Sequence, residues 1–178
     1  QRQMCIRDRI KPDHKDASFN LGVIHFETKK YDVAEKIFDT YLKSFGKDIE
    51  AHRYLLQIFL ITNQINKADA LSSMLCVNYP NEAFLLYERA RVLTRLFKNK
   101  DAISYYEKCL EISVDFNDAF KNMAILLKKE NLIDSYIKKI SNRTDLNYTN
   151  ETNIAQCYLI NGEASKAVSY THLTLPTT

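Results

Sequence analysis

The chain has 178 residues, of which 46% are hydrophobic and 26% are charged, and its net charge is +3. This composition is typical of one or two ordinary soluble domains, and the longest apolar run, YLLQIFLI at 54–61, is too short to span a bilayer. Because the chain has only three glycines and three prolines but many Leu, Ile, Ala, Lys and Glu residues, it favours an all-helical protein.

The two ends of the chain are related at the level of DNA. One set of codons for residues 1–8, QRQMCIRD, has a reverse complement that translates as VSYTHLTL, the sequence of residues 168–175. An inverted DNA repeat explains this relation, whereas protein chemistry does not. The repeat resembles the adapter of a transposase-based sequencing library, read through at both ends of an assembled metagenomic fragment. We therefore predict that residues 1–9 and 167–178 are artefactual and that the biological segment is 10–166.

This prediction changes the charge and the cysteine count. The N-terminal piece holds three arginines and one aspartate, so the net charge of residues 10–166 is about +1. A charge this close to zero gives no argument for nucleic-acid binding. Without Cys5, the cysteines that remain are Cys76, Cys109 and Cys157, which form no C-x-x-C pair. Their spacing favours a reducing compartment such as the cytoplasm.

The segment 10–166 repeats with a period of about 34 residues. Starting from Leu21, Gly22, His25, Ala34 and Phe38, steps of this length lead mostly to other apolar or small residues. Within each unit two apolar helical faces are separated by a short turn, such as TKKYD or KNKD. Each unit is therefore predicted to form two antiparallel helices. The predicted helices are 16–28, 31–44, 49–62, 65–78, 82–95, 99–112, 116–129, 131–141, 149–161 and a short helix from 163.

This pattern resembles the tetratricopeptide repeat family. The matching residues are Leu21, Gly22, Tyr31, Ala34 and Phe38 in the first unit, Leu55, Phe59, Ala68 and Pro80 in the second, and Ala90, Ala102, Tyr106 and Leu110 in the third. The resemblance implies a right-handed α-solenoid of about four and a half units. The units fall near 15–48, 49–82, 83–116, 117–147 and 148–166, the last being truncated. Since neither end looks like a polar cap, we expect the parent protein to be longer.

Some features depart from the family pattern. Leu56 replaces a small residue, which is expected to spread the second helix pair, and Arg89 stands where an apolar side chain is expected. In the degenerate fourth unit Tyr136 takes the Ala position, and residues 141–150 are predicted to form a loop. The fifth unit returns to register after a three-residue deletion, because the step from Ala124 to Ala155 is three shorter than the usual one.

The chain shows no pattern for catalysis, for a metal or for a cofactor. It has no H-E-x-x-H pair and no glycine-rich phosphate loop. His25 lies on an apolar helical face, where a packed histidine is more common than a metal ligand. Cys76, Cys109 and Cys157 fall on predicted packing faces and are interpreted as small buried hydrophobic residues. We therefore predict a protein that is not an enzyme and binds no cofactor.

In tetratricopeptide proteins the first helix of each pair lines a concave groove that holds peptides, and the resemblance implies such a groove here. The predicted groove residues are Phe19, Val23, Phe26, Arg53, Gln57, Leu60, Tyr87, Arg91, Thr94, Lys121, Ile125 and Lys128. Arg53, Arg91 and Lys121 can hold the carboxylates of an acidic or C-terminal peptide. The alternative is that these charges only solvate the inner face. The carboxylate clamp of chaperone-binding relatives is not carried over, because its Lys and Asn positions are not matched.

The predicted function is a protein–protein interaction scaffold that binds a peptide or protein partner, with no nucleic acid bound and no insertion into a membrane. The alternative is the accessory repeat array of a larger enzyme, such as a glycosyl- or sulfo-transferase, which is an analogy at the level of the fold. A catalytic domain encoded in the flanking gene sequence would favour that alternative.

Overall fold

The computed structural model describes residues 15–142 and 148–174, and within them it forms ten α-helices and no strand. The helices are α1 (Lys15–Glu27), α2 (Tyr31–Phe45), α3 (Ile49–Ile61), α4 (Ile65–Asn78), α5 (Ala83–Arg95), α6 (Asn99–Ile112), α7 (Asn117–Lys129), α8 (Ile133–Ser141), α9 (Tyr148–Asn161) and α10 (Ala164–Thr174). The predicted all-α class is confirmed, and the first nine helices begin and end within two residues of their predicted bounds.

The last helix extends further than the sequence analysis predicted. The tail after residue 166 has no helical period, yet α10 continues to Thr174 and Ala167 is buried. Extending an existing helix costs far less than nucleating one, so residues of ordinary propensity can continue it. Of the predicted loop 141–150, Ser141 ends α8 and residues 148–150 begin α9. The centre of that loop, like Pro12, lies outside the described residues.

The chain divides into two compact units, residues 1–74 and 75–178, and the division falls inside α4. In unit 1, α1 packs against α2, and both contact α3. In unit 2, α5 packs against α6, α6 against α7, α7 against α8 and α9, α8 against α9, and α9 against α10. Successive helices thus pack on one another within each unit, which is the arrangement of tandem helix pairs.

The turns inside the helix pairs show the repeat period directly. Four residues, each one full period after the last, have a left-handed backbone with φ between 57° and 60°, namely Lys29, Asn63, Phe97 and Asn131. The backbone N–H that follows each of them bonds to a carbonyl five residues earlier, as Lys98 does to Leu93 at 2.9 Å. This is the Schellman arrangement that ends a helix. Gly162, with φ of 89°, repeats it after a step that is three shorter, which confirms the three-residue deletion.

Small residues let the helices of a pair approach closely. A Cβ built on Gly22 of α1 would lie 2.8 Å from ring atoms of Phe38 on α2, well inside the contact distance of two carbon atoms. Phe38 is itself fully buried. The alanines at the contact position of three second helices are also fully buried: Ala34, Ala68 and Ala102. The predicted roles of Gly22 and of these alanines are therefore confirmed.

Two departures from the family pattern are accommodated inside the units. The guanidinium carbon of Arg89 lies 5.9 Å from the ring centre of Tyr105 on α6, a cation–π contact. Arg89 therefore packs on the second helix of its own pair. Leu56 is fully buried, so the core of unit 1 contains a leucine where the family pattern has a small residue.

Ala68→Glu is expected to lower the free energy of unfolding by about 3 kcal/mol or more, because a fully buried position cannot solvate a carboxylate. Ala70→Glu, on the exposed side of the same helix, is the matched control and should change that free energy by less than about 0.5 kcal/mol. Urea unfolding followed by circular dichroism measures both variants. Equal stability of Ala68→Glu and the unmodified protein would contradict the repeat register.

Candidate functional site

In unit 1 the predicted groove residues lie on the two adjacent helices α1 and α3. The ring centres of Phe19 and Phe26 are 5.9 Å and 5.1 Å from that of Tyr54. Tyr54 stacks on the buried Phe38, with ring centres 5.1 Å apart. Leu60 is buried and belongs to the core. The apolar members of this set therefore pack α1 and α3 onto α2 and contribute mainly to the stability of unit 1.

Arg53 is engaged within its own helix. Its Nη1 donates to both carboxylate oxygens of Glu50, at 2.7 Å and 2.9 Å. A partly exposed pair at this helical spacing contributes only about 0.3–0.5 kcal/mol. The pair orients the guanidinium group along α3 without binding it tightly. Val23 and Gln57, the other members in unit 1, are half-buried.

In unit 2 the predicted residues lie on α5 and α7. Side chains of the two helices meet where Asn122 Nδ2 donates to the Tyr87 hydroxyl at 3.4 Å. The guanidinium carbon of Arg91 lies 5.6 Å from the ring centre of Tyr87. Burial raises the pKa of the Tyr87 hydroxyl, although the charge of Arg91 acts in the opposite direction. Tyr87 is therefore a neutral hydrogen-bonding group at physiological pH.

Glu88 is a residue of this face that the sequence analysis did not identify. Its side chain is only 1% exposed, and both carboxylate oxygens accept from Arg91 Nη1 at 2.9 Å. A carboxylate at this depth requires a cation or donors, because burying an isolated charge costs several kcal/mol. The signal was present in the sequence, since Glu88 precedes Arg91 by three residues, a spacing that brings side chains together on a helix.

Glu88 also belongs to a series of positions that recurs along the repeats. Tyr54 and Asn122 lie one full period before and after it, and Asn153 follows Asn122 by the interval of the shortened unit. Tyr54 stacks in the aromatic cluster, Asn122 bonds Tyr87, and Asn153 is buried. These first helices thus carry an aromatic or polar group at one recurring position. At Tyr54, Glu88 and Asn122 that position is next in sequence to a predicted groove residue.

The three cations predicted to bind carboxylates are not equivalent. Arg53 and Arg91 each pair with a carboxylate of their own helix. Lys121 is 4.0 Å from Asp118, and the two side chains are 64% and 70% exposed, so this pair contributes next to nothing. Lys121 therefore retains its charge for an incoming group. Arg91 uses Nη1 for Glu88, and its Nη2 and Nε remain as donors.

The remaining members of the set differ in how far the fold engages them. Ile125 is 60% exposed, one helical turn after Lys121. Lys128 Nζ donates to the Ile160 carbonyl near the end of α9, at 2.5 Å, where the helix dipole favours a cation. Thr94 Oγ1 donates to a carbonyl of its own helix at 2.8 Å. Four members of the set in unit 2 that are partly or largely exposed are called the α5/α7 face below: Tyr87, Arg91, Lys121 and Ile125.

The three cysteines in the described part of the chain are buried or half-buried, which disfavours a nucleophilic role. Burial raises the pKa of the Cys76 thiol to about 11 and those of Cys109 and Cys157 to about 12. All three thiols are therefore protonated at neutral pH, and the reactive form is the thiolate. Cys109 and Cys157 are fully buried, which confirms the prediction for them, and Cys76 is half-buried.

The described residues contain neither a cluster of metal ligands nor a membrane-spanning helix. His25 is half-buried on α1, and no cluster of three or more potential metal ligands occurs in the described part of the chain. None of the helices in residues 15–142 and 148–174 is both long and apolar enough to cross a membrane.

This chain is similar to known proteins in one sequence repeat and in its fold. The tetratricopeptide repeat family model matches residues 85–114, most of α5 and all of α6. The MamA structure has a TM-score of 0.67 and 15% identity, covering 91% of this chain and 90% of that chain. YrrB, described as a TPR protein with an unusual peptide-binding site, has a TM-score of 0.63 and 16% identity, covering 92% of this chain and 87% of that chain.

A third similar structure is the first TPR of Spaghetti (RPAP3) bound to the HSP90 peptide SRMEEVD. Its TM-score is 0.62 with 13% identity, and the match covers 68% of this chain and 97% of that chain. No curated protein matches the chain in sequence. The matched repeat lies in unit 2, and the shared fold is the helical solenoid class that was predicted.

Arg91→Met is expected to lower the free energy of unfolding by about 2 kcal/mol or more, because the buried Glu88 carboxylate loses its cation. Combining it with Glu88→Gln should recover part of that loss. Urea unfolding of the two single variants and the double variant measures the coupling between the two positions. Strictly additive losses would show that the two side chains do not depend on each other.

Proposed function

We propose that this protein is a non-catalytic interaction scaffold that binds an extended segment of a partner protein on the α5/α7 face. The observation that carries the proposal is the exposure of Ile125. All other apolar side chains of α7 are buried, while Ile125 is 60% exposed. An apolar side chain left in water beside cations, on a helix that is otherwise well packed, suits the apolar side chain of a partner.

The similar structures add support from their own descriptions. YrrB is described by its peptide-binding site, and the RPAP3 repeat is bound to an HSP90 peptide. Both share the fold of this chain at low sequence identity, so they support the use of such a fold for binding a peptide. The shared fold does not identify the partner of this protein, because the choice of partner depends on the side chains of this chain.

We further infer that the bound segment carries carboxylates. Lys121 has no strong partner on its own helix, and Arg91 has two nitrogens that Glu88 does not use. A carboxylate placed between them would accept charge-assisted hydrogen bonds, which are the stronger kind. The peptide in the RPAP3 structure, SRMEEVD, contains two glutamates and an aspartate. A single face of this kind typically binds at about micromolar affinity, or about −8 kcal/mol.

Lys121→Glu is expected to weaken the binding of acidic peptides by at least a factor of about ten, or about 1.4 kcal/mol, and to leave the fold intact because Lys121 is 64% exposed. Lys138→Glu on α8, also exposed, makes the same change in net charge and is the matched control. Fluorescence anisotropy measures binding to labelled peptides that place acidic, neutral or basic residues around one leucine. Equal affinities for both variants, or a preference for basic peptides, would contradict the proposal.

We also propose that the repeat array occupies residues 10–166 and that residues 1–9 and 167–178 derive from adapter DNA. The support is the reverse-complement relation between codons for residues 1–8 and 168–175, which no feature of the fold requires. Inverse PCR on source DNA, with primers inside the codons for 10–166, is expected to give different residues at both ends. Recovery of the same two ends from DNA that never carried the adapter would refute this origin.

A further inference from the structure

The turn between α5 and α6 holds an aromatic residue where the equivalent turns hold polar ones. The left-handed position of the four turns is occupied by Lys29, Asn63, Phe97 and Asn131. Phe97 is 82% exposed, so its ring is almost entirely outside the core. The same turn is therefore built three times with a residue suited to water and once with one that is not.

The backbone at Phe97 makes this choice unfavourable for folding. Its φ is 60°, a region that glycine and asparagine enter readily and that is strained for a bulky side chain. Asn63 and Asn131 show that this chain uses the better residue in its other turns. A strained conformation held by a residue that does not pack is the kind of outlier that points to a function.

One cation lies over the exposed ring, and three more are close to it in sequence. Lys129 Nζ, at the end of α7, lies 5.9 Å from the ring centre of Phe97, within the range of a cation–π contact. Arg95, Lys98 and Lys100 precede and follow the ring in sequence, and all three are exposed. This edge of unit 2 thus presents one apolar group with a lysine over its ring and three exposed cations nearby in sequence.

The edge is held together and also carries acids. Asn99 Nδ2 donates to Glu130 Oε1 at 2.7 Å, which joins the start of α6 to the end of α7. Asp101 and Asp134 are exposed in the first turns of α6 and α8. An anionic bilayer would be repelled by both carboxylates, whereas a peptide can place its own carboxylates against the lysines alone. The charge pattern therefore favours a protein segment over a membrane.

We propose that Phe97, together with Lys98 and Lys129, anchors a second docking site, which takes an acidic segment of a partner protein that has an apolar side chain next to its carboxylates. The partner's apolar group packs on the ring while its carboxylates meet the lysines. Aromatic anchors with charged groups around them dominate many protein interfaces. The site lies in the α5–α6 turn, at the end of α5 rather than on its α5/α7 face, and does not depend on that face.

The stability of Phe97→Asn is the first test. The variant installs the residue found at positions 63 and 131, and relief of the strained turn should raise the Tm by about 2–4 °C. Asn131→Phe is the reciprocal control and should lower the Tm. A lower Tm for Phe97→Asn would show that the ring stabilises the fold, and the proposal would be overturned.

Peptide selection is the second test. A random peptide library displayed on phage is selected on the full chain, on Phe97→Asn and on Lys121→Glu in parallel. The unmodified protein should enrich peptides with several Asp or Glu residues beside Leu, Ile or Phe. The acidic peptides that bind at Phe97 should be enriched at least about tenfold less on Phe97→Asn. The same peptides should still be enriched on Lys121→Glu. The proposal is overturned if Phe97→Asn still enriches every acidic peptide that the unmodified protein enriches. It is also overturned if the peptides lost on Phe97→Asn are lost on Lys121→Glu as well.

A membrane surface is the competing outcome, and vesicles test it. The probe is a vesicle of phosphatidylcholine and phosphatidylserine at roughly 7:3, which carries a negative surface potential. The unmodified protein and Phe97→Asn should sediment with these vesicles to the same small extent. Sedimentation that is lost in Phe97→Asn would assign the edge to a lipid surface and overturn the proposal of a protein partner.

Discussion

The close approach of two helices at a small residue is the constraint on which the rest of the structure depends. At Gly22 the ring of Phe38 occupies the space that a Cβ would need, and Ala90 and Ala124, at the corresponding repeat position, are fully buried. Two helices that pack this closely still leave apolar surface on their outer sides, because each buries only one stripe against the other. The next pair covers that surface. In unit 2 this stacking brings first helices such as α7 and α9 into contact.

The turn inside each pair adds a second constraint, since the chain must reverse within a few residues. It does so with one left-handed residue and a Schellman hydrogen bond in each of the five turns. The position demands a left-handed backbone, which glycine and asparagine adopt most readily. The side chains at this position are exposed, so packing does not restrict them. A residue that goes against the preference for glycine or asparagine at a left-handed position usually serves function rather than folding. Phe97 is such a residue.

The cations of the α5/α7 face do not contribute equally to its charge, because one of them is neutralised by a buried carboxylate. Arg91 serves the fold, because it neutralises the buried Glu88, and it also presents donors to the outside. Lys121, by contrast, pairs only weakly with the exposed carboxylate of Asp118. The α5/α7 face thus contains one cation that neutralises a buried carboxylate and one that is paired only with an exposed carboxylate. For the acidic segment that we propose, a guanidinium group that is already oriented would lower the entropy lost on binding.

The sequence by itself determined the period, the helices and the packing positions of this protein. The repeat places glycine, alanine and large apolar residues in register, and each helix is specified by contacts only three or four residues apart. Gly22, Ala34 and Phe38 could be assigned for that reason. Only the tertiary structure decided which side chains the fold engages and which it leaves exposed. Leu60 lies in the core, Arg91 pairs with the buried Glu88, Lys128 bonds the end of α9, and Phe97 is exposed. The three-residue spacing of Glu88 and Arg91 is visible in the sequence. The burial of Glu88 and the other outcomes depend on packing between parts of the chain that are far apart in sequence, which a local pattern does not encode.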